Sequence, residues 1–308
     1  MGDGRVDPSM RDRARAGTAR AGTAARAAAT RGGDIGRSVG RSAASKGAAA
    51  RQRMARLDVP WARCGVARHV RQGILSCVLG PMIRYYMRVR THGAERFDGL
   101  EPPVILVSNH SSHLDTPMIL RALPRKWRQR TAVAAAADYF YKKRITAAFV
   151  ALVFNTVPIQ RRGGGLGDGA TDHVDRLIRQ RWNLLMYPEG TRSRDGRIGK
   201  LRSGAAALAS QHGLSIVPIY VTGTHDAMPP GQNWPRRRIY RKRYKVDIRF
   251  GDPITPHEGE HGSDVMARVM EFFESHGAQR AHARGSAASN GHGRFSEATE
   301  PQPVAPQA

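Results

Sequence analysis

The densest cluster of side chains able to move a proton or hold an anion lies in VILVSNHSSHLDTP at 104–117. There an apolar run gives way to Asn109-His110 and, after four residues, to Asp115. A histidine at a strand end and a carboxylate at a helix start can form a dyad. The carboxylate holds one ring nitrogen and fixes the tautomer, leaving the other nitrogen to accept a proton. Help of that kind contributes about 10² to 10⁴ in rate. The same residues support plainer readings: Asp115 can cap the helix it begins, with His110 a polar loop residue. His110, His113 and Asp115 can supply metal ligands, although no further His or Cys pair completes a site. Ser111 or Ser112 can be a nucleophile beside His110, although no Gly-x-Ser-x-Gly elbow surrounds them.

Three later segments share the pattern of an apolar strand running into a polar turn. FNTVPIQRR at 154–162 ends in two arginines and is followed by GGGLGDG. The planar fork of Arg161 suits a phosphate, whereas the glycine run lacks the Gly-Lys-Ser/Thr ending of a Walker loop and reads as a flexible surface loop. LLMYPEGTRSRDG at 184–196 carries Glu189, Gly190, Thr191 and Arg192 in its turn. Glycine permits tight turning there, and backbone N–H groups with Thr191 and Arg192 can bind an anion. Glu189 either positions these groups or an acceptor hydroxyl, or merely neutralises nearby arginines. SIVPIYVTGTHDAMP at 215–229 holds Pro218 inside a strand, the mark of an edge or irregular position. It shows no obvious catalytic group, and its expected role is to wall an apolar slot.

These turns need a scaffold, and the flanking pattern supplies one. Runs at 104–107, 131–136, 156–159, 184–187, 216–221 and 245–250 read as strands, and 116–123, 139–154, 171–181 and 203–212 as helices. The alternation indicates an α/β fold, a central mostly parallel or mixed sheet flanked by helices, with chemistry in loops at strand ends. Residues 61–90 mix arginine with Trp, Ile, Leu, Val and Tyr and are interrupted at Gly80-Pro81. That predicts two short N-terminal amphipathic helices, either packed on the core or facing a membrane. Residues 1–56 and 276–308 lack the large apolar side chains that offset backbone ordering, so a disordered basic arm and a disordered tail are expected around one domain at 57–275.

The 308 residues include 50 Lys and Arg against 25 Asp and Glu, a formal net charge of +25. Such a chain seeks anions, whether nucleic acid, lipid headgroups or phosphorylated small molecules, and charge alone does not choose. The run RRRIYRKRYK at 236–245 suits nucleic-acid phosphates and stacked bases, but equally anionic lipid or the phosphates of coenzyme A. No recognisable nucleic-acid module accompanies it. Cys64 and Cys77 form neither a paired framework nor a metal spacing, which favours a reducing compartment and buried apolar roles. No stretch approaches the roughly 20 apolar residues of a membrane span. The expected location is cytoplasmic, peripherally associated with the inner face of the membrane.

In order, the four segments resemble the glycerolipid acyltransferase family, which includes bacterial 1-acylglycerol-3-phosphate acyltransferases and related lysophospholipid and glycerol-3-phosphate acyltransferases. Asn109-His110 with Asp115 resembles the family's His-x4-Asp motif, Val157 to Arg161 its second block, Tyr187 to Ser193 its Phe-Pro-Glu-Gly-Thr-Arg-Ser, and Val217 to Ile219 its Val-Pro-Ile block. Lys200 and Gly204 resemble positions that follow the third block. The resemblance implies His110 as general base, Asp115 as its orienting partner, Arg161 as ligand of an acceptor phosphate, and Glu189, Gly190, Thr191 and Arg192 as acceptor-site elements. It implies an acyl-coenzyme A or acyl carrier protein donor, a lysophospholipid acceptor and no metal or other cofactor. Tyr187 in place of Phe, and Gln160 before the arginine, depart from the family pattern and leave the acceptor open. The rival readings are a basic nucleic-acid-binding protein and a non-catalytic lipid-binding relative.

Overall fold

Side chains alternate between the two faces of a strand, and here the alternation divides the apolar runs into two cores. Ile105, Val107, Leu184, Met186, Ile216 and Tyr220 enter one, and Leu106, Leu185, Val217, Ile219 and Val221 the other. A sheet covered on both faces needs near-continuous apolar strands, which is why these segments stand out in the sequence. In the structure, a computed structural model, residues 58–136, 144–159, 172–235 and 243–281 are described. Among the described residues seven strands form the sheet: β1 (Met87–His92), β2 (Ile105–Ser108), β3 (Thr131–Ala136), β4 (Thr156–Ile159), β5 (Asn183–Met186), β6 (Ile216–Thr222) and β7 (Tyr244–Phe250). Their order is β1-β7-β6-β2-β5-β3-β4, and only β6 with β7 is antiparallel. The mixed, mostly parallel sheet flanked by helices is as the sequence predicts.

The N-terminal segment differs in detail from its expectation. Helix α1 (Gly65–Gly73) passes through a π-helical turn (Ile74–Leu79) directly into α2 (Gly80–Tyr86), so Gly80-Pro81 does not break it. Pro81 falls in the first turn of α2, where a missing N–H costs least. The Leu75 carbonyl in the π-turn accepts a hydrogen bond from Arg121 at 2.8 Å. The helical reading also ran too far, because Met87–His92 is strand β1. Cys64 and Cys77 are exposed rather than buried. Cys64 caps α1, its sulfur accepting from the Ala67 N–H at 3.4 Å.

One face of the sheet is covered by α6 (Asp172–Arg179), α7 (Gly204–His212) and α9 (Gly262–Ser275), the other by α2, α3 (Asp115–Ala122) and α4 (Arg125–Gln129). Helix α5 (Arg144–Phe154) precedes β4. Buried Arg71 of α1 donates to the Leu152 carbonyl in the last turn of α5, which joins these two helices. Burial, more than the neighbouring Arg63 and Arg68, lowers its pKa to about 10. The expected basic arm at 1–56 lies outside the described residues. Residues 276–281, assigned to the tail, instead pair with Ile198: its N–H donates to the Gln279 carbonyl and its carbonyl accepts from Ala281, each at 2.8 Å.

Strand β6 is interior, not at an edge, and Pro218 sits at an irregularity within it. Its carbonyl accepts from the Gly251 N–H at 2.8 Å, but proline has no N–H to return. The β6–β7 ladder stops there, and Ile216 pairs instead with Ile254 beyond the gap. At the other end of β6, Gly223 has φ +81°, and a Cβ there would lie 2.0 Å from the Lys245 carbonyl oxygen. That approach lets the chain turn sharply into α8 (Thr224–Ala227). Gly223→Ala is expected to cost about 2 kcal/mol or more, from forced φ and overpacking together, visible as a lowered thermal midpoint.

Candidate functional site

Because β6, β2 and β5 are adjacent and mutually parallel, their C-terminal ends deliver three of the four motifs to one place. The fourth, on β4, ends on the same side of the sheet, two strands beyond β5. Arg161 itself lies outside the described residues. Asn109 ties the ends of β2 and β6 together: its amide donates to the Val221 carbonyl at 2.9 Å and accepts from the Val221 N–H at 2.8 Å.

His110 follows with its ring fixed on several sides. Nδ1 donates to Oδ2 of Asp115 at 2.9 Å. The ring stacks on Tyr187, centroids 4.0 Å apart at 22°, and the Tyr187 hydroxyl is held by Thr116 at 2.8 Å. Burial, with the charge of Asp115, pushes the Tyr187 phenol well above its ordinary range, so it serves as a neutral hydrogen-bonding ring. The His110 backbone is clamped as well: its N–H donates to Oε1 of Glu189 at 2.8 Å, and its carbonyl accepts from Ser193 at 2.7 Å. With the proton on Nδ1, Nε2 is the acceptor nitrogen, and the side chain is 19% exposed.

Asp115 is fully buried and turns back toward the loop that precedes it. Oδ2 accepts from the N–H groups of Ser111 and Ser112 at 2.7 and 2.8 Å in addition to His110. A capping carboxylate would accept from N–H groups further into α3, whereas this one accepts from donors outside that helix, so Asp115 starts the helix without capping it. Both serine hydroxyls are committed elsewhere. Ser111 Oγ lies 3.1 Å from Thr224 Oγ1, and Ser112 Oγ donates to the Met228 carbonyl at 2.8 Å, so neither is poised as a nucleophile beside the imidazole. His113, whose pKa falls to about 4 through desolvation and then the charges of Arg192 and His110, stays neutral at ordinary pH.

The third motif forms a β-turn closed by the Gly190 N–H on the Tyr187 carbonyl at 3.0 Å. Gly190 has φ +73°, the conformation its residue type accommodates. Glu189 bridges two loops: besides the His110 N–H, its Oε2 accepts from the Gly199 N–H at 2.9 Å. Both carboxylate oxygens thus accept from backbone donors. Beyond this turn, Thr191 and Arg192, with Arg194, Arg197 and Lys200, line an open hollow of about 460 Å³. Arg202 joins them, so five cations line this hollow together with the carboxylates of Glu189 and Asp195, and Glu189 links it to the His110 backbone.

Residues 88–222, which include these motifs, match the family model described as Acyltransferase. A chloroplastic 1-acyl-sn-glycerol-3-phosphate acyltransferase of Arabidopsis thaliana is 26% identical over 150 residues, which cover 47% of this chain and 39% of that protein. The 1-acyl-sn-glycerol-3-phosphate acyltransferase alpha of Bos taurus is 29% identical over 184 residues, 59% of each chain. Over residues 88–222 this chain is similar to glycerolipid acyltransferases. It spans about half the length of the curated relatives it matches. The crystal structure of PlsC from Thermotoga maritima, a 1-acyl-sn-glycerophosphate acyltransferase, aligns with TM-score 0.51 at 20% identity over 69% of this chain and 82% of that one, a likeness of fold.

Within this acyltransferase fold, two contributors to the site escaped the sequence reading. Thr224, from the segment expected only to wall a slot, donates to Oδ1 of Asp115 at 2.6 Å. Tyr187, noted only as a departure from Phe, supplies both the stacked ring and the tether to Thr116. A signal for the first was present in the sequence, a hydroxyl residue directly after a glycine at a strand end.

Proposed function

We propose that this chain transfers a fatty acyl group from a thioester, acyl-coenzyme A or acyl carrier protein, to the free hydroxyl of a phosphorylated lysolipid. The acceptor we favour is 1-acyl-sn-glycerol-3-phosphate, giving phosphatidate in phospholipid biosynthesis. The observation that carries the reading is the His110 imidazole, its tautomer fixed by Asp115 so that Nε2 is the acceptor, with Glu189 linking its backbone to a hollow whose lining includes five cations. Nε2 takes the acceptor's hydroxyl proton as its oxygen attacks the thioester carbonyl. The tetrahedral oxyanion collapses, the carbon–sulfur bond breaks, and the imidazolium returns the proton to the departing thiolate. No enzyme-bound acyl group is needed. Asp115 stabilises the imidazolium, while holding both reactants together supplies much of the remaining rate.

In this reading Thr191, Arg192 and, from beyond β4, Arg161 receive the acceptor phosphate, with Gly190 shaping the turn that presents them. Glu189 acts through the His110 backbone it holds. Binding is to an anionic membrane surface: Trp61, Val66, Val70, Val78, Tyr85, Phe149 and Trp234 are exposed, apolar and interspersed with arginines. No described helix is long and apolar enough to cross a membrane. A peripheral place on the cytoplasmic face accords with these features.

The test is to incubate the purified full chain with acyl-coenzyme A or acyl carrier protein and a panel of glycerol-3-phosphate, lysophosphatidate and uncharged-headgroup lysolipids, identifying products by mass. Phosphatidate formation supports the proposal. Salt-dependent DNA binding with no lysolipid-dependent thiol release would overturn it. Arg192→Ala is expected to raise KM for lysophosphatidate roughly tenfold, the loss of one charge-assisted contact, while KM for the thioester changes little. Steady-state kinetics with each substrate varied in turn checks this.

A further inference from the structure

We propose that Thr224 is a positioning residue for the His110–Asp115 pair, its hydroxyl fixing the plane of the Asp115 carboxylate. The inference rests on the acyl-transfer reading above for its kinetic consequence, but not for its structural one. Three donors meet Oδ2: His110 Nδ1 at 2.9 Å and the N–H groups of Ser111 and Ser112 at 2.7 and 2.8 Å. Contacts to a single oxygen fix a point and leave the carboxylate free to swing about it, because the terminal torsion of aspartate is broad. Oδ1 accepts a hydrogen bond from Thr224 Oγ1 at 2.6 Å. It supplies the second point that orients the plane.

Thr224 is itself held firmly. It is fully buried and is the first residue of α8, reached through the forced turn at Gly223. Its single hydroxyl proton goes to Asp115, so the 3.1 Å contact with Ser111 must have Ser111 as donor. The result is a directed chain, Ser111 to Thr224 to Asp115, opposed by His110 from the other side. Ser111 and Asp115 come from the first motif and Thr224 from the last, 109 residues beyond Asp115. The parallel pairing of β6 with β2 brings their ends together, and Gly223, where a Cβ would strike the Lys245 carbonyl of β7 on the other side, lets the chain turn sharply into Thr224. The segment that seemed to carry no chemistry thereby sets the orientation of the base.

The experiment compares Thr224→Val, which keeps shape but removes the hydroxyl, with Thr224→Ser, which restores it. In Thr224→Val, kcat is expected to fall 10- to 100-fold, with KM for both substrates within about twofold of the parent. Thr224→Ser should recover to within about threefold. Thr224→Val added to Asp115→Asn should lower kcat no further. Independently of turnover, nitrogen-15 NMR of labelled histidine should show His110 largely as the Nδ1–H tautomer in the parent and as a mixture in Thr224→Val. Should valine prevent folding, Thr224→Ala is read in the same way on the folded protein. A hydroxyl-free variant that is less stable yet keeps kcat and tautomer would overturn the proposal. If His110→Ala retains full transfer, the acyl-transfer reading fails, while the tautomer spectrum still decides the role of Thr224.

Discussion

His110→Ala is expected to lower kcat for acyl transfer by about 10² to 10⁴, the range that a positioned general base supplies, with little change in melting temperature. The side chain is partly exposed, and the backbone contacts that clamp it to Glu189 and Ser193 do not need the ring. Asp115→Asn should be nearly as severe for a different reason. An asparagine has one acceptor oxygen where the carboxylate uses two. If that oxygen takes the place of Oδ2, the His110 tautomer survives, but the negative charge that stabilises the imidazolium is gone. If it takes the place of Oδ1, an amide N–H faces Nδ1 and drives the proton to Nε2, where it blocks the base. Product formation by mass and thermal denaturation, measured on the same preparations, separate these losses from unfolding. Near-normal turnover in either variant would remove His110 from the chemistry.

The central strands were legible because burial on both faces makes them apolar throughout. β3 and β4 appear in the sequence with the bounds that the structure gives them, and β2, β5, β6 and β7 to within one residue at each end. Strand β1 was not legible. In MRVRTH only Met87 is buried, and the exposed Arg88 and Arg90 are the kind of charges that help an open sheet edge to resist pairing with another chain. It was therefore read as the end of a helix. Helix α9 shows the opposite case: Val265, Met266, Val269, Met270 and Phe273 carry a helical apolar stripe that could have been assigned, and they pack into the core with Tyr220.

In the site, motif spacing marked the residues whose contacts are local. His110 and Asp115 lie five apart and meet directly. What spacing does not carry is any partner brought in by topology. Thr224 reaches Asp115, and Tyr187 reaches His110, only because β6 and β5 flank β2 in the sheet, an order no local pattern encodes. The same holds for Glu189. From sequence it was a choice between an acceptor-site element and a neutraliser of arginines, whereas its carboxylate spans the backbone of two loops.

That bridge makes Glu189→Gln the second change expected to matter most. Glutamine offers one acceptor and one donor where two N–H groups, of His110 and Gly199, both need acceptors. One part-buried N–H must then face an amide N–H, at a cost of about 1 kcal/mol, the low end of the range for an unsatisfied buried donor. If the His110 side loses, the imidazole shifts, and a displacement near 1 Å can cost about 10² in rate. The variant should therefore lose at least tenfold in kcat and melt lower. The pH dependence carries a further sign. Burial, first among its causes, raises the Glu189 pKa above the usual 4.5, with the two N–H donors opposing. A carboxyl whose folded value exceeds its unfolded value holds its proton more tightly when native. Its contribution to stability is present below about pH 4.5 and is lost as pH rises through the folded value. Glutamine has no such dependence, so the stability deficit of the variant should narrow as pH rises from the acid side. Thermal melts across that window test the sign: a deficit that widened with pH would mean that the two N–H bonds outweigh burial.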